Sequence, residues 1–382
     1  MKIVHLCLAN FLIDGYSYQE NMLLKYHKAQ GYEVEAIASL FTFDQDGKAV
    51  DYQGPLSYQN EYDIPVVRLL YKKPEKVYRI LRRYQGFEKA LRQSAPDILF
   101  IHEFQFLDID VVVRYLKEHP QVKVFVDNHS DYQNSAQNVL SRVVLNGMIW
   151  KRCAKKIEPY TEKFYGVLPA RVDFLTQMYG VKKEKCALLE MGIDDEAAER
   201  ALRPEIREQR REAYGASDHS FVIVTGGKID HNKPQVLDLM RAVKTLSDKR
   251  IMLVVFGSVV PELKEEFDSL LSENVRYIGW RKAEEIYEDF AAADLVAFPG
   301  LHSVLWEQAV GMGKPCVFKR ISGFEHIDIG GNCLFFENDS VQEYVDKLKL
   351  AVENIDEIKK AALSDRRKVF SYSSIAKRAL EG

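Results

Sequence analysis

The chain has 382 residues, of which 47% are hydrophobic and 29% charged, and its formal net charge is -3 at pH 7. This length exceeds the size at which one core usually keeps growing, so we expect two globular domains. The charge gives no general attraction to nucleic acid, and the five scattered cysteines fit neither a disulfide framework nor a zinc site. We therefore expect a cytoplasmic protein without a signal peptide or a membrane-spanning helix.

Short apolar strands alternate with amphipathic helices along the chain. In the first half a helix is predicted over 18–31, and strands are predicted at 2–9, 32–39, 97–103, 122–129 and 165–170. After residue 217 the pattern begins again, with strands at 221–227, 251–257, 275–280, 294–300 and 315–319. The helices predicted between and after these strands cover 234–247, 261–272, 283–293, 303–313 and 340–353. Such alternation is typical of parallel sheets that are covered on both faces.

The two series of strands predict an α/β protein with two doubly wound, Rossmann-like domains. We place the first domain at 1–190 and the second at 191–365, with the charged stretch 194–218 as their connector. In open α/β sheets, ligands bind beyond the carboxyl ends of the strands. Two such domains facing one another would leave a cleft there, so the candidate site residues are sought where strands end.

Two strand ends in the first domain carry unusual polar residues. Gly15 ends a loop that leads from the first strand into a helix, where a simple turn glycine is an equal alternative. His129 follows a strand that is apolar until Val126, and an imidazole there can donate to a charged reacting group or be an ordinary loop histidine. His102 holds a similar position, and its neighbour Glu103 is a candidate partner that holds it.

The junction VTGGKIDHNKP, residues 224–234, combines features that favour phosphate binding. Glycines such as Gly227 allow close approach of the backbone, and Pro234 is a suitable start for a helix whose free N–H groups attract anions. Lys228 and Lys233 add two ammonium groups that suit a diphosphate. A solvated loop with two surface lysines is the alternative, but the position between strand and helix favours the phosphate interpretation.

A second candidate anion site is predicted in FPGLHSVLWEQAVGMGKPCV, residues 298–317. The strand ends before a turn at Gly300, and Ser303 is the predicted N-cap of a helix through Gly313. Free backbone amides are expected from Gly300 to Val304, and the Glu307 carboxylate about one turn into the helix is a suitable acceptor for vicinal ribose hydroxyls. Ordinary stabilisation of the helix dipole is the alternative role of that carboxylate.

Other motifs are incomplete. GMGKP lacks the residues of a P-loop, and HEFQF has Phe106 where a zinc HExxH motif has its second histidine. The basic stretches 71–93 and 144–156 carry interleaved apolar residues, which fits either contact with a membrane surface or a solvated helix face whose apolar side is in the core.

Taken in order, these motifs resemble the retaining, sugar-nucleotide-dependent glycosyltransferases of family 4, which have the GT-B architecture. The resemblance covers almost the whole chain. Its best-matching segments are the opening strand, loop and helix, the strand ending VDNHSD, CALLEMGID, GGKIDHNK, WEQAVGMGKPCV, ISGFEHIDIGGNCLFF and the final FSYSSIAKRAL. The last segment resembles a family helix that crosses back to the first domain, which assigns about 366–382 to that domain.

The resemblance implies transfer of a sugar from a nucleotide diphosphate sugar, with retention at the anomeric carbon. Lys228 and Lys233 would neutralise the departing diphosphate, which is electrostatic stabilisation of developing charge. The donor would also contact Gly15, Gly227 and the segment from Gly300 through His302, Ser303 and Val304, while Glu307 would hold the ribose and His129 would lie near the sugar. No metal or other cofactor is implied.

The sequence departs from the family at two positions. Pro299 stands where the family has the first glutamate of its E-x7-E motif, which leaves His302 and Ser303 as the nearby candidates for contacting the donor sugar. Lys228 replaces an arginine and keeps its charge without the planar fork.

The expected acceptor is a glycan or a lipid-linked molecule in the synthesis of a cell-surface polysaccharide, with peripheral contact to the inner membrane face through 71–93. Two alternatives are a non-catalytic GT-B subunit and a sugar-nucleotide epimerase of the same architecture. A subunit without activity should lose the charged diphosphate pocket, whereas Lys228, Lys233 and Glu307 are all present. Epimerases do not share GGKIDHNK or MGID.

Overall fold

The computed structural model describes residues 1–9, 12–43, 48–132, 134–231, 233–246 and 248–381. The chain forms two compact units, Met1–Glu190 together with Ile375–Gly382, and Met191–Ser374. Asn10, Phe11 and Asn232, which belong to the loops discussed above, lie outside the described residues. No helix within the described ranges is long and apolar enough to cross a membrane.

The first unit is built on one sheet and a small hairpin. Its strands are β1 (Lys2–Cys7), β2 (Glu33–Ala38), β3 (Phe41–Phe43), β4 (Ala49–Asp51), β5 (Ser57–Gln59), β6 (Pro65–Arg68), β7 (Ile98–His102), β8 (Lys123–Asn128), β9 (Lys163–Gly166) and β10 (Cys186–Leu188). Its helices are α1 (Gln19–Ala29), α2 (Glu75–Leu81), α3 (Phe87–Ser94), α4 (Ile109–Glu118), α5 (Lys151–Ile157) and α6 (Pro169–Gln177). A π-helix covers Ser141–Trp150, and short 3-10 helices cover Glu158–Tyr160 and Lys183–Lys185.

The sheet of the first unit runs in the order β10-β9-β8-β7-β1-β2-β6-β5, and β3 pairs with β4 separately. All its neighbouring strands are parallel except β5 and β6. Because the chain winds outward from β1 in one direction and later returns to β7 on its other side, the order reverses between β1 and β7. Ligands of doubly wound sheets bind at such a reversal.

The second unit contains a sheet whose neighbouring strands are all parallel. Its strands are β11 (Phe221–Ile229), β12 (Ile251–Val259), β13 (Val275–Tyr277), β14 (Leu295–Phe298), β15 (Cys316–Lys319) and β16 (Cys333–Phe336). Its helices are α7 (Asp195–Ala201), α8 (Pro204–Tyr214), α9 (Gln235–Thr245), α10 (Pro261–Ser269), α11 (Ala283–Ala292), α12 (Leu305–Gly311), α13 (Val341–Glu353) and α14 (Ile355–Ala362), with 3-10 helices at Glu325–Ile327 and Asp365–Phe370. Helix α15 (Tyr372–Arg378) leads into the segment that belongs to the first unit.

The strand order β13-β12-β11-β14-β15-β16 is that of a Rossmann fold, with its reversal between β11 and β14. Strands such as KIVHLC in β1 and LVAF in β14 are buried along nearly their whole length, because helices cover both sheet faces. The structure confirms the predicted α/β class with two Rossmann-like sheets.

Three local predictions were wrong. The stretch 194–218, predicted to connect the domains, lies within the second unit and forms α7 and α8, where Arg207 and Arg211 bind Asp294. The strand predicted at 165–170 ends at Gly166, since a proline suited to the first turn of a helix starts α6. Helix α12 has Val304, not Ser303, at its N-cap position and no side-chain cap bond.

The basic stretch 71–93 is not one continuous amphipathic helix. A bridge pairs Tyr71 with Tyr84, and the short helices α2 and α3 lie on either side of Tyr84. Tyr71, Tyr84 and Phe87 are buried in the core, whereas Val77 and Ile80 are exposed. The apolar residues of this stretch therefore divide between the core and the surface.

Candidate active site

Two glycines allow β11 and β12 to run unusually close at the carboxyl end of the second sheet. A Cβ atom on Gly226 would lie 2.4 Å from the carbonyl oxygen of Phe256, and one on Gly257 would lie 1.9 Å from that of Gly227. Gly227 and Gly257 are paired across the two strands and both have positive φ. The glycine pair in VTGG thus lies inside β11, where Gly226 permits close strand packing and Gly227 has a backbone conformation that favours glycine.

Lys228 is the penultimate residue of β11, whereas Lys233 lies in the loop that follows, and the two lysines occupy different environments. The Lys228 side chain is 69% exposed, and its Nζ lies 3.6 Å from Oδ2 of Asp230. Lys233 is half-buried, and this burial lowers its pKa although Asp230 acts in the opposite sense. Lys233 is therefore a partly desolvated cation, for which an anionic ligand would be a favourable partner.

Gly300, at the end of β14, lies directly against Lys233. A Cβ on Gly300 would stand 3.5 Å from both Cβ and Cγ of Lys233 and 3.5 Å from Oε1 of Gln235. That Oε1 is buried and has no hydrogen-bond partner among the described residues. The structure therefore brings together the loops after β11 and β14, which the sequence had identified separately, at the strand-order reversal of the second sheet.

Glu307 is completely buried and is held by two histidines. Its Oε1 lies 2.8 Å from Nε2 of His302 and 2.9 Å from Nε2 of His326, and its Oε2 lies 3.0 Å from Nε2 of His302. Burial opposes ionisation, but His302 and His326 together lower the pKa of Glu307 to about 2. The carboxylate is thus an anion enclosed by imidazoles and not an open acceptor for ribose hydroxyls.

The other predicted residues of this loop surround that cluster. His302 packs against Trp306 and Phe324 and is directed at Glu307, while Ser303 and Val304 are half-buried at the start of α12. The Ser303 carbonyl accepts from the Trp306 backbone amide at 3.0 Å. The predicted sugar contact His302 is therefore engaged by Glu307.

In the first unit, Gly15 forms an exposed turn. Its φ is +79°, a Cβ there would meet nothing within 4 Å, and its N–H donates to Oε1 of Glu61 at 2.8 Å. The glycine is needed for its backbone conformation and not for close packing.

His129 lies at the end of β8 between two buried carboxylates. Its Nε2 is 3.6 Å from Oε1 of Glu20 and 3.6 Å from Oδ2 of Asp127, and the side chain is 17% exposed. Burial opposes the charge, but Glu20 and Asp127 raise the pKa of His129 to about 9. His129 is therefore an imidazolium at neutral pH, which makes it a donor and a positive charge, not a proton acceptor.

We expect NMR titration of His129 to show an imidazolium up to a midpoint near 9, because its charged form is paired with Glu20 and Asp127. A pKa raised above the ordinary 6.5 contributes stability that is complete below pH 6.5 and is lost as pH rises toward 9. Glu20→Gln should lower the midpoint, because it removes one of the two carboxylates that favour the imidazolium. A wild-type midpoint at or below 6.5 would contradict the assignment.

A cavity of about 580 Å³ lies at the carboxyl end of β1, β2 and β7 in the first unit. The Arg79 guanidinium lines it and binds both carboxylate oxygens of Asp51. Tyr71, Arg82 and Glu103 also line it, so it offers aromatic, cationic and anionic groups together.

The sequence interpretation missed Glu20, Asp127, Gln235 and His326. It also proposed Glu103 as the partner of His102, which was wrong, because Glu103 accepts from the backbone N–H of His129 and from the Ser130 hydroxyl. Glu20, in an amphipathic helix, gave no distinct signal. Among the described residues, no group of three or more His, Cys, Asp or Glu side chains is arranged to hold a metal ion.

Residues 220–354 match the family model described as "Glycosyl transferases group 1". This region contains the β11 and β14 loops with Lys228, Lys233, Gly300 and Glu307. No curated protein is significantly similar to the chain in sequence.

Several solved structures share the fold over nearly the entire chain. A glycosyltransferase from Rickettsia africae has a TM-score of 0.69 at 15% identity, covering 100% of this chain and 97% of that one. HepE from Anabaena in complex with UDP has a TM-score of 0.67 at 17% identity, covering 99% and 98%. UDP-GlcNAc 2-epimerase from Neisseria meningitidis bound to UDP-GlcNAc has a TM-score of 0.65 at 13% identity, covering 100% and 99%. The solved structures show that the chain has the GT-B fold with two Rossmann-like units, and residues 220–354 are similar to a glycosyltransferase family model.

Proposed function

We propose that the protein transfers a sugar from a nucleotide diphosphate sugar to a glycan or lipid-linked acceptor, with retention at the anomeric carbon, as in family 4. The proposal depends most on Lys233, a partly desolvated cation held against Gly300 at the strand-order reversal of the second sheet. The pathway we propose is the synthesis of a cell-surface polysaccharide by a cytoplasmic enzyme.

The donor diphosphate would lie on the loops after β11 and β14. Lys233 would bind it at close range, and the exposed Lys228 would approach from the Asp230 side. Gly227 and Gly300 keep this surface free of side chains, so phosphate oxygens can reach the backbone. The Gln235 Oε1, which has no partner among the described residues, is an acceptor for a hydroxyl or N–H group of the donor.

In the transfer, the bond from the anomeric carbon to the diphosphate oxygen breaks and the acceptor oxygen bonds to the same face of that carbon. The leaving phosphate takes the acceptor's proton, so no protein base is required. Lys228 and Lys233 stabilise the charge that develops on the phosphate. His129, an imidazolium at neutral pH, would lie near the transferred sugar and donate a hydrogen bond instead of removing a proton. No metal enters this proposal.

The resemblance implied that Glu307 holds the ribose directly, but the structure requires a rearrangement before this contact can form. Both oxygens of Glu307 are engaged by His302, and Oε1 is engaged by His326 as well. Glu307 would reach ribose hydroxyls only after His302 turns away, which would also free His302 and the adjacent Ser303 and Val304 for the donor. In this proposal donor binding therefore reorganises the start of α12.

For the acceptor we propose the cavity of the first unit. The Arg79–Asp51 pair and the Tyr71 ring in its lining suit a sugar, which presents both hydroxyls and apolar faces. The exposed Val77 and Ile80 lie in the basic stretch 71–93, which we propose as the place of peripheral membrane contact for a lipid-linked acceptor.

The identity of the donor is tested by measuring the thermal unfolding temperature of the protein in the presence of UDP, GDP, ADP and their common sugar conjugates. We expect stabilisation by one nucleotide class, and enzymatic release of that diphosphate when an acceptor extract is added. Product analysis by NMR then identifies the anomeric configuration. Stabilisation by none of these compounds would refute the proposal, and conversion of the donor to its C2 epimer without transfer would assign an epimerase.

A further inference from the structure

Three completely buried histidines form a hydrogen-bonded chain through the core of the first unit. His27 of α1 and His5 of β1 are joined by Nδ1 and Nε2 at 3.1 Å, and Nδ1 of His5 is 2.9 Å from Nε2 of His102, at the end of β7. Three imidazoles in series are unusual inside a core, because histidine is fully buried less often than apolar residues. The donor and acceptor roles within this chain follow from what stands at its two ends.

Both ends of the chain are hydrogen-bond acceptors. At one end, Nε2 of His27 lies 2.9 Å from the carbonyl oxygen of Ala376, in the segment that returns to the first unit. At the other end, Nδ1 of His102 lies 2.7 Å from Oδ2 of Asp127. A carbonyl oxygen cannot donate, so His27 must carry hydrogen on Nε2 and its Nδ1 must either accept from His5 or be protonated as well.

The hydrogen bonds of the imidazole chain require one more hydrogen than three neutral imidazole rings carry. The chain comprises four hydrogen bonds, and each needs one hydrogen: Ala376–His27, His27–His5, His5–His102 and His102–Asp127. Three neutral imidazoles supply only three N–H groups. With Asp127 ionised, one ring must be an imidazolium, and the ring in contact with the carboxylate gains most from the charge.

We propose that His27, His5 and His102 form a buried chain that holds one additional proton on His102, trapped between the Ala376 carbonyl and the Asp127 carboxylate. His102 is then a positioning residue that keeps Asp127 ionised behind His129. The proton content of the chain is independent of sugar transfer, whereas its value for catalysis rests on the proposed function.

The surroundings of the chain agree with this distribution. Burial, followed by the neighbouring imidazoles, lowers the pKa of His5 well below its ordinary value, and burial lowers that of His27 to about 4, so both rings remain neutral. Burial disfavours the charge of Asp127, but His102 and His129 lower its pKa overall. The other titratable or charged groups near this end of the chain are Glu20, Cys7, Glu103 and Arg68.

The charge balance has a consequence for His129. Glu20 and Asp127 are two buried carboxylates, and two imidazolium rings, His102 and His129, match them. With His102 neutral, Asp127 would depend on His129 alone for a counter-charge. Because the additional proton on His102 supplies a counter-charge to Asp127, His129 can pair with Glu20. Its ring N–H group then remains available to a ligand.

Ring-¹⁵N histidine NMR of the intact, unliganded protein tests the proton count. In the wild type at neutral pH we expect both ring nitrogens of His102 to carry hydrogen, with nearly coincident ¹⁵N shifts, while His5 and His27 are neutral with hydrogen on Nε2. Widely separated ¹⁵N shifts for His102 in the wild type would overturn the proposal.

Two substitutions at His27, which lies two rings away from His102, test whether the hydrogen bonds of the imidazole chain hold the additional proton. His27→Gln can donate to Ala376 through its amide nitrogen and accept from His5 through its oxygen, so it should keep the His102 imidazolium. His27→Phe removes the acceptor for His5, so two neutral rings satisfy the remaining bonds and His102 should become neutral with hydrogen on Nδ1. An imidazolium that persists in a folded His27→Phe would show that the chain does not trap the proton.

Asp127→Asn tests the other end without removing a buried ring. The backbone N–H of Glu103 donates to Oδ1 of Asp127 at 3.1 Å, which should place the asparagine oxygen there and its NH2 group toward His102. The amide then supplies the fourth hydrogen, so His102 should become neutral with hydrogen on Nε2, the opposite tautomer from His27→Phe. Retention of both ring hydrogens in Asp127→Asn would overturn the proposal even if His27→Phe does not fold.

Discussion

Lys233→Ala is expected to weaken binding of the preferred nucleoside diphosphate by roughly 10- to 150-fold, because a charge-assisted hydrogen bond contributes about 1.5–3 kcal/mol. The loss should be large at this position because Lys233 is partly desolvated and lies against Gly300, where the diphosphate is placed. Isothermal titration calorimetry measures the change directly, and the thermal stabilisation by the nucleotide should disappear with it.

Lys249→Ala is the matched control. Lys249 is an exposed lysine of the same unit that precedes β12, at the opposite end of the sheet from the proposed site. Its substitution should leave nucleotide affinity unchanged. Equal nucleotide affinity of wild type and Lys233→Ala would show that the diphosphate binds elsewhere. A loss of nucleotide affinity in Lys249→Ala alone would lead to the same conclusion.

Glu307→Ala is expected to destabilise the second unit by about 3 kcal/mol, since it leaves two buried ring N–H donors without an acceptor. Here His302 and His326 would both lose their acceptor. At about 2–4 °C per kcal/mol for a unit of this size, the thermal transition should fall by roughly 6–12 °C. Calorimetry on the intact protein measures this fall.

Acid unfolding provides an independent measurement of the same cluster. The pKa of Glu307 is depressed from its ordinary value of 4.5 to about 2, so its contribution is complete above pH 4.5 and is lost as pH falls toward 2. Glu307→Gln retains the shape without the charge and should be less stable at neutral pH, with a smaller further loss on acidification. Identical acid dependence in wild type and Glu307→Gln would show that the histidines do not stabilise the carboxylate.

Sequence patterns were sufficient for the parallel sheets and for the positions where ligand loops begin. Continuous apolar segments such as 221–224 and 295–298 are determined by local composition, and the glycines that follow them in the sequence indicate that the apolar segment is ending. This is why the loops with Lys228 and with Gly300 could be identified before their proximity was known. Their meeting at one point depends on strand order, which has no local signal.

The histidine clusters depend on contacts that no local pattern encodes. His326 lies 19 residues beyond Glu307 in a short 3-10 helix, and the two meet only because the chain folds back. His5 interrupts the apolar run Ile3–Cys7 of β1, and the pattern that predicts a buried strand gives this histidine no partner. Its neighbours His27 and His102 come from α1 and β7, so His102 is aligned by the pairing of β1 with β7 and His27 by the position of α1.

The return of Ile375–Gly382 to the first unit has a consequence for biosynthesis. His27 and Glu190 receive their partners Ala376 and Arg378 only after the ribosome has translated all of Met191–Ser374. A nascent chain that has formed the first sheet therefore still lacks one terminal acceptor of the imidazole chain. Because translation runs from the N-terminus to the C-terminus, the imidazole chain is one of the last features of the first unit to be completed. A nascent polypeptide stalled within the second unit would contain the first sheet without a complete imidazole chain.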